Sequence, residues 1–148
     1  MLFVLIWGGL IFAVYIIFCF WQKHVNLSSI NEVLKEKSFF TMDLFVHGNN
    51  LTFIVCPELS ESFIDNNVAN NLKLTKLYDK HRITDLDGKT KNTDVVSVCM
   101  WDKQFMNYTH KLVVVDLHSL PNLKCVNHKV HGILGNDFIT KFNIDFFL

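Results

Sequence analysis

Residues 53–65 read FIVCPELSESFID. Phe53, Ile54 and Val55 have the composition of a buried strand. Ser62, followed three residues later by Asp65, has the spacing of a capping box, and Phe63, Ile64, Val68 and Leu72 then fall at helical intervals. The stretch therefore reads as a strand running into a short helix, with Cys56-Pro57-Glu58 at the join. Proline at such a join has no backbone N–H to give, and glutamate adds a charge where the chain leaves the interior.

On the upstream side, FFTMDLFVH and LTFIV are separated by Gly48, Asn49 and Asn50, which predicts a β-hairpin with a three-residue connection. Downstream, Asp87-Gly88 lies between β-prone flanks in ITDLDGKTKNTDVVSV, a second hairpin signal. VVSVCMW and HKLVVVDL are further strands, the second apolar enough to be buried on both faces, and Pro121 ends it. The closing stretch KVHGILGNDFITKFNIDFFL reads as strand, glycine-flanked turn, a short helix from near Asn136, and a terminal strand. With no internal repeat, residues 39–148 form one mainly β domain.

The chain has 148 residues, 14 of them phenylalanine, and is 50% hydrophobic, so the placement of the apolar residues matters. Residues 1–21, MLFVLIWGGLIFAVYIIFCFW, carry no charge and are long enough to cross a bilayer as one helix. A cleaved signal peptide would need a basic start and a small-x-small cleavage site, and neither is present. The expectation is a single-pass membrane anchor, with residues 22–38 as a polar juxtamembrane linker or short helix. Lys23, Lys35 and Lys37 follow the span and no basic residue precedes it, which favours a cytoplasmic body. Cys19 falls in the span, and Cys56, Cys99 and Cys125 are odd in number, which suits reduced thiols better than a disulfide framework. A formal net charge of zero gives no electrostatic reason to expect a nucleic-acid partner.

HGILGNDFI, residues 131–139, resembles the apolar-apolar-Gly-x-Asp stretch near the end of retropepsin-like aspartic protease domains, in the GILGxDF form found in bacterial chains. FIVCPELSESFI takes the place of that family's active-site stretch, three apolar residues followed by Asp-Thr-Gly-Ala-Ser-x-Ser-x-Ile. Phe53, Ile54 and Val55 match its strand, and Ser60, Ser62 and Ile64 match its tail. The order of hairpin, active-site loop, helix, glycine-tipped flap, strands and glycine motif also agrees. The resemblance implies a single lobe, closed and barrel-like, with short helices. It also implies a flap tip at Asp87 and Gly88 over bound substrate, structural roles for Gly132, Gly135 and Asp137, and dimers with one aspartate from each subunit.

The departure falls on the chemistry. Where the family has Asp-Thr/Ser-Gly, this chain has Cys56-Pro57-Glu58. Aspartic proteases need two facing carboxylates that share a proton, and Cys56 supplies none. Pro57 lacks both the hydroxyl that bonds across the two loops and a backbone N–H. Glu58 puts a side chain and a charge where glycine allows close backbone approach. In a symmetric dimer each defect occurs twice.

Glu58 stands two positions late to replace the acid, in a segment where that changes both place and direction. Cys56 as a nucleophile needs a base in reach, and the sequence sets no histidine beside it; a buried structural thiol is the plainer reading. Cys125, His128 and His131, with His118, have a spacing suggestive of metal, but the two later histidines would face opposite sides of a strand, so no metal and no cofactor is expected. The expectation is a membrane-anchored pseudoenzyme that holds an extended peptide, as a homodimer or as a heterodimer with a related chain. The alternatives are an active endopeptidase, through an unusual acid or an intact partner, and a structural membrane assembly protein.

Overall fold

The computed structural model describes residues 8–11, 23–35, 39–125 and 129–144. In chain order the elements are β1 (His24–Asn26), α1 (Leu27–Val33), β2 (Phe40–Val46), β3 (Asn49–Val55), β4 (Phe63–Asp65) and α2 (Asn66–Asn71). There follow β5 (Thr75–Thr84), β6 (Thr90–Trp101), β7 (Asn107–Val115), 3-10 turns at Leu117–Ser119 and Pro121–Cys125, β8 (Gly132–Leu134) and α3 (Asn136–Lys141).

The strands form one sheet in the order β1-β5-β6-β2-β3-β8-β4-β7, and a further β6–β7 pairing joins its end back to its middle. Six strands thus make a ring, with β5 and β1 branching outside it. The seam between β2 and β6 is a single residue pair, Phe45 opposite Trp101, so the ring is less regular than the closed barrel expected. Within it β8 lies between β3, which it meets in parallel, and β4, which it meets antiparallel.

The apolar runs that lack polar alternation are strands buried on both faces. Ile54, Phe63, Val113, Val115 and Ile133 enter one apolar cluster. Their chain neighbours Phe53, Ile64, Leu112, Val114 and Leu134 enter a second cluster on the other side of the sheet.

Two local expectations are corrected. The first hairpin turns on two residues, His47 and Gly48, at φ 49° and 79°, and Val46 pairs directly with Asn49. Two consecutive positive φ values match the right-handed strand twist better than the longer loop expected, so Asn49 and Asn50 belong to β3. The helix after the quoted stretch is capped by Asp65, whose side chain accepts from Asn67 N–H, and residues 63–65 are strand. Ser62 does not cap it because its hydroxyl is engaged elsewhere.

Residues 22–38 are expected as a polar juxtamembrane linker or short helix, and a short helix, α1, is found there. Of these, residues 23–35 dock on the body: β1 pairs in parallel with β5, and Leu27, Ile30 and Leu34 are buried. That i, i+3, i+7 spacing is an amphipathic stripe, and it packs rather than spans. Of the apolar run at residues 1–21, only residues 8–11 are described, as helix; the rest of the expected anchor lies outside the described residues. Among the described residues no helix is long and apolar enough to cross a membrane. The expected terminal strand falls mostly on residues 145–148, which also lie outside them.

Candidate functional site

The loop from Cys56 to Ser62 leaves β3 and returns as β4, with β8 between the two strands. Cys56 N–H donates to Leu134 O at 2.9 Å, and Leu59 N–H donates back to Cys56 O at 3.2 Å. Residues 56–59 are therefore a β-turn with Pro57 second, where its fixed φ suits the turn and its missing N–H costs nothing. Cys56 is 2% exposed, whereas Pro57 and Glu58 are exposed.

β8 and α3 hold this loop from below. Asn136 N–H donates to Leu59 O at 2.7 Å. A Cβ on Gly135 would stand 2.7 Å from Leu59 O and overlap Glu61 O; one on Gly132 would stand 2.6 Å from Phe63 O. Both glycines are there because backbone passes against backbone.

Ser62, Asp137 and His110 form a network. Ser62 Oγ donates to Asp137 Oδ1 at 2.7 Å and accepts Gly135 N–H at 2.9 Å. His110 Nε2 lies 2.8 Å from Asp137 Oδ2, and Phe138 N–H donates to Oδ1 at 2.8 Å. The His110 ring packs edge-on to Phe138, 5.4 Å between centroids, which ties α3 to β7. Burial alone would raise the Asp137 pKa, but hydrogen bonds from His110 and Ser62, the His110 charge and the Phe138 N–H together hold it below the ordinary value. The residue types are those of a hydrolase triad, but the wiring is not. Here the carboxylate is central and histidine does not meet the serine; Ser62, 1% exposed, bonds the carboxylate directly.

The remaining expected site residues are scattered. Ser60 is exposed on the loop. Asp87 and Gly88 occupy the tip joining β5 to β6, with Gly88 at φ 85° and Asp85 Oδ1 accepting from the N–H groups of Asp87 and Lys89. His131 Nδ1 accepts Thr52 N–H at 2.9 Å, and burial, then the nearby Lys129 charge, lowers its pKa against the opposing pull of Asp65 and Asp43. His118 lies 3.5 Å from the buried Asp65, and His81 lies 3.0 Å from Glu61. Each of these histidines is thus engaged by a group other than Cys56. His128 and the Cys125 side chain lie outside the described residues, among which no cluster of histidine, cysteine and carboxylate could hold a metal.

The resemblance implies a groove under the tip at Asp87 and Gly88. The tip joining β5 to β6 borders a cavity of 460 Å³, lined by Leu27, Asp85, Leu86, Asp87, Val115 and Ser119 among others and by no residue of the loop from Cys56 to Ser62. Leu27 comes from α1, in the segment expected as a linker or short helix, and was not expected at this cavity. The regular spacing of Leu27, Ile30 and Leu34 was the signal available.

With this geometry in place, comparison with solved structures is informative. The EIAV protease complexed with the inhibitor HBY-793 superposes with a TM-score of 0.53 at 17% identity, over 76% of this chain and 95% of that one. The retroviral protease-like domain of Ddi1 from Leishmania major superposes at 0.51 with 8% identity, over 76% and 84%. The fold is retropepsin-like. No family model and no curated protein sequence matches the chain. At these identities the likeness concerns the backbone fold alone.

Proposed function

We propose that this chain is a membrane-anchored, retropepsin-like protease homologue that binds protein segments without cutting them. One observation carries the reading: the loop that matches the family's active-site stretch starts with Cys56, buried at 2% exposure in an apolar cluster. Aspartic protease chemistry needs two carboxylates sharing one proton around a water, and a buried thiol offers neither charge nor a proton at that pKa. The turn at Pro57 and Glu58 is well formed for a loop and lacks the hydroxyl and the glycine that bring two active-site loops together. Binding survives this loss because a cleft beside a sheet edge holds an extended chain by main-chain hydrogen bonds. The partners in this reading are an extended peptide, a second copy or a related chain, and the bilayer that residues 1–21 would enter.

The test is restoration in the full-length chain, solubilised in detergent. Cys56-Pro57-Glu58 is replaced by Asp-Thr-Gly, and peptide cleavage is followed from acidic to neutral pH. The parent is expected to bind extended peptides and leave them intact, and the restored chain to cleave them. Cleavage by the parent that disappears with Glu58→Gln would assign it an acid and overturn the proposal.

A further inference from the structure

Residues 23–35 touch three parts of the body at once. On the flap side, β1 lies along the edge of β5 that β6 leaves open, from His24 opposite Arg82 to Asn26 opposite Thr84. Arg82 N–H donates to Lys23 O at 2.9 Å, and His24 Nε2 lies 2.6 Å from Thr84 Oγ1. On the loop side, Lys23 Nζ stands 3.9 Å from Glu61 Oε1. On the far side, Asn31 clamps Asn122: its Oδ1 accepts Asn122 N–H at 3.1 Å, and its carbonyl accepts from Asn122 Nδ2 at 2.6 Å.

Between these parts, Val25, Leu27, Ile30 and Leu34 share one apolar cluster with Ile83 of the flap strand, Cys56 and Leu59 of the loop, and Leu117 and Leu120. An added strand on an open edge, with alternate side chains buried, is how a sheet takes an extended peptide. The segment also has the look of something docked. Ser28, Ser29, Glu32 and Lys35 are exposed on its outer face, and its strand is three residues long. The strands of the ring, in contrast, are packed between two cores. Leu27 and Ile83 also line the 460 Å³ cavity bordered by Asp85, Leu86 and Asp87, so open space adjoins the docked segment.

We infer that residues 23–35 are an intramolecular ligand of this cleft. The site takes an extended chain with one buried apolar residue in its strand, followed by an amphipathic helical turn, and other chains of that class enter when this strap leaves. The inference rests on the reading of the cleft as a peptide site. It deepens that reading by naming the ligand class and what gates it. A docked strap reduces the apparent affinity for a competitor by the fraction of molecules in which the cleft is open, so a strap docked in 99 of every 100 molecules would weaken binding roughly 100-fold.

The experiment uses the full-length chain in detergent and a fluorescent synthetic peptide of residues 23–35. Ile30→Asp places a charge at a position 3% exposed and expels the strap. Asn31→Ala removes the side-chain half of the clamp, the Oδ1 that accepts Asn122 N–H, and keeps the carbonyl bond to Asn122 Nδ2. The Ile30→Asp chain is expected to bind the peptide at least roughly tenfold tighter than the parent, and a peptide carrying the same substitution is expected not to compete. In the Asn31→Ala chain the Arg82 amide is expected to exchange with solvent faster while the amides of β6 and β7 do not. The inference is overturned if the parent binds the peptide as well as the variant does, or if Asn31→Ala speeds exchange evenly across the ring, which would make residues 23–35 an ordinary part of the core. Binding of unrelated extended peptides to the Ile30→Asp chain without binding of the strap peptide also overturns it, and leaves the cleft reading standing. If peptides of neither kind bind while β6 and β7 stay protected, the cleft reading itself fails.

Discussion

Ser62 and Asp137 stand 75 residues apart in sequence and share a hydrogen bond of 2.7 Å, one from the end of the loop that follows β3 and the other from the first turn of α3. The Ser62 hydroxyl also accepts Gly135 N–H. One buried oxygen therefore joins β4, β8 and the helix, and sets where the loop at Cys56 leaves the sheet. Ser62→Ala strands the Gly135 N–H and one bond of the carboxylate, so it should cost about 1–3 kcal/mol. Denaturant unfolding of the full chain measures this. Ser62→Thr should retain more of the stability than Ser62→Ala, because it keeps the hydroxyl.

Gly135→Ala should cost about 3 kcal/mol or more, toward the upper end for overpacking. Its Cβ would meet the carbonyls of Leu59 and Glu61, which are backbone and have no rotamer to change. An alanine at Gly48 meets no atom within 4 Å, and its cost is confined to the strain of φ 79°. Thermal midpoints of the two variants should separate clearly, and equal losses would refute the close-approach account of Gly135.

Acid should weaken the fold in two steps. His131 has a lowered pKa, so its contribution is complete above the ordinary histidine pKa and is lost as pH falls through the lower folded value. Protonation takes away the Nδ1 lone pair that accepts Thr52 N–H. Asp137 is also lowered, so its contribution is complete above the ordinary aspartate pKa and disappears as pH falls through its folded value. His131→Gln should remove the upper step and Asp137→Asn the lower one. A pH series of unfolding midpoints that keeps its upper step in His131→Gln counts against this assignment.

Two turns have the same wiring but different residues at the strained position. Asp85 accepts from the N–H groups of Asp87 and Lys89, and Asp102 from those of Gln104 and Met106. Gly88 takes the left-handed position in the first turn, at φ 85°, and Phe105 takes it in the second, at φ 63°. Phe105 is 84% exposed, so its ring repays little of the strain by burial. Phe105→Gly should stabilise the chain by about 1 kcal/mol, the left-handed penalty of an L-residue. A fall in thermal midpoint would mean that the ring packs in a way its exposure does not reveal.

The strands were legible wherever burial on both faces left an unbroken apolar run, as in Leu112 to Val115 and in Phe53 to Val55. Local chemistry that depends on distant partners was not. Ser62 and Asp65 have the spacing of a cap, yet the Ser62 hydroxyl is bonded to Asp137 and Gly135, and no reading of residues 62–65 alone contains those partners. His110 is invisible for the same reason, since its role exists only once α3 lies against β7. The strap was legible in part. Its stripe of Leu27, Ile30 and Leu34 was on the page, but its polar face and its place after an apolar run argued for a juxtamembrane linker or short helix.

The burial of Cys56, at 2% exposure, has its own pH signature. Cys56→Asp alone puts a carboxyl group into a cluster with Ile54, Leu59, Phe63 and Leu117. Burial there should raise its pKa above that of the unfolded chain. The penalty is small at pH below the unfolded value, grows as pH rises toward the folded value, and then levels off. Each unit of that rise costs about 1.4 kcal/mol at neutral pH. Unfolding midpoints for Cys56→Asp and Cys56→Ser should therefore diverge as pH rises from acid to neutral. If strap release through Ile30→Asp opens the loop to water, the divergence should shrink in the double variant; an unchanged divergence would mean that the ring alone, without residues 23–35, keeps Cys56 dry.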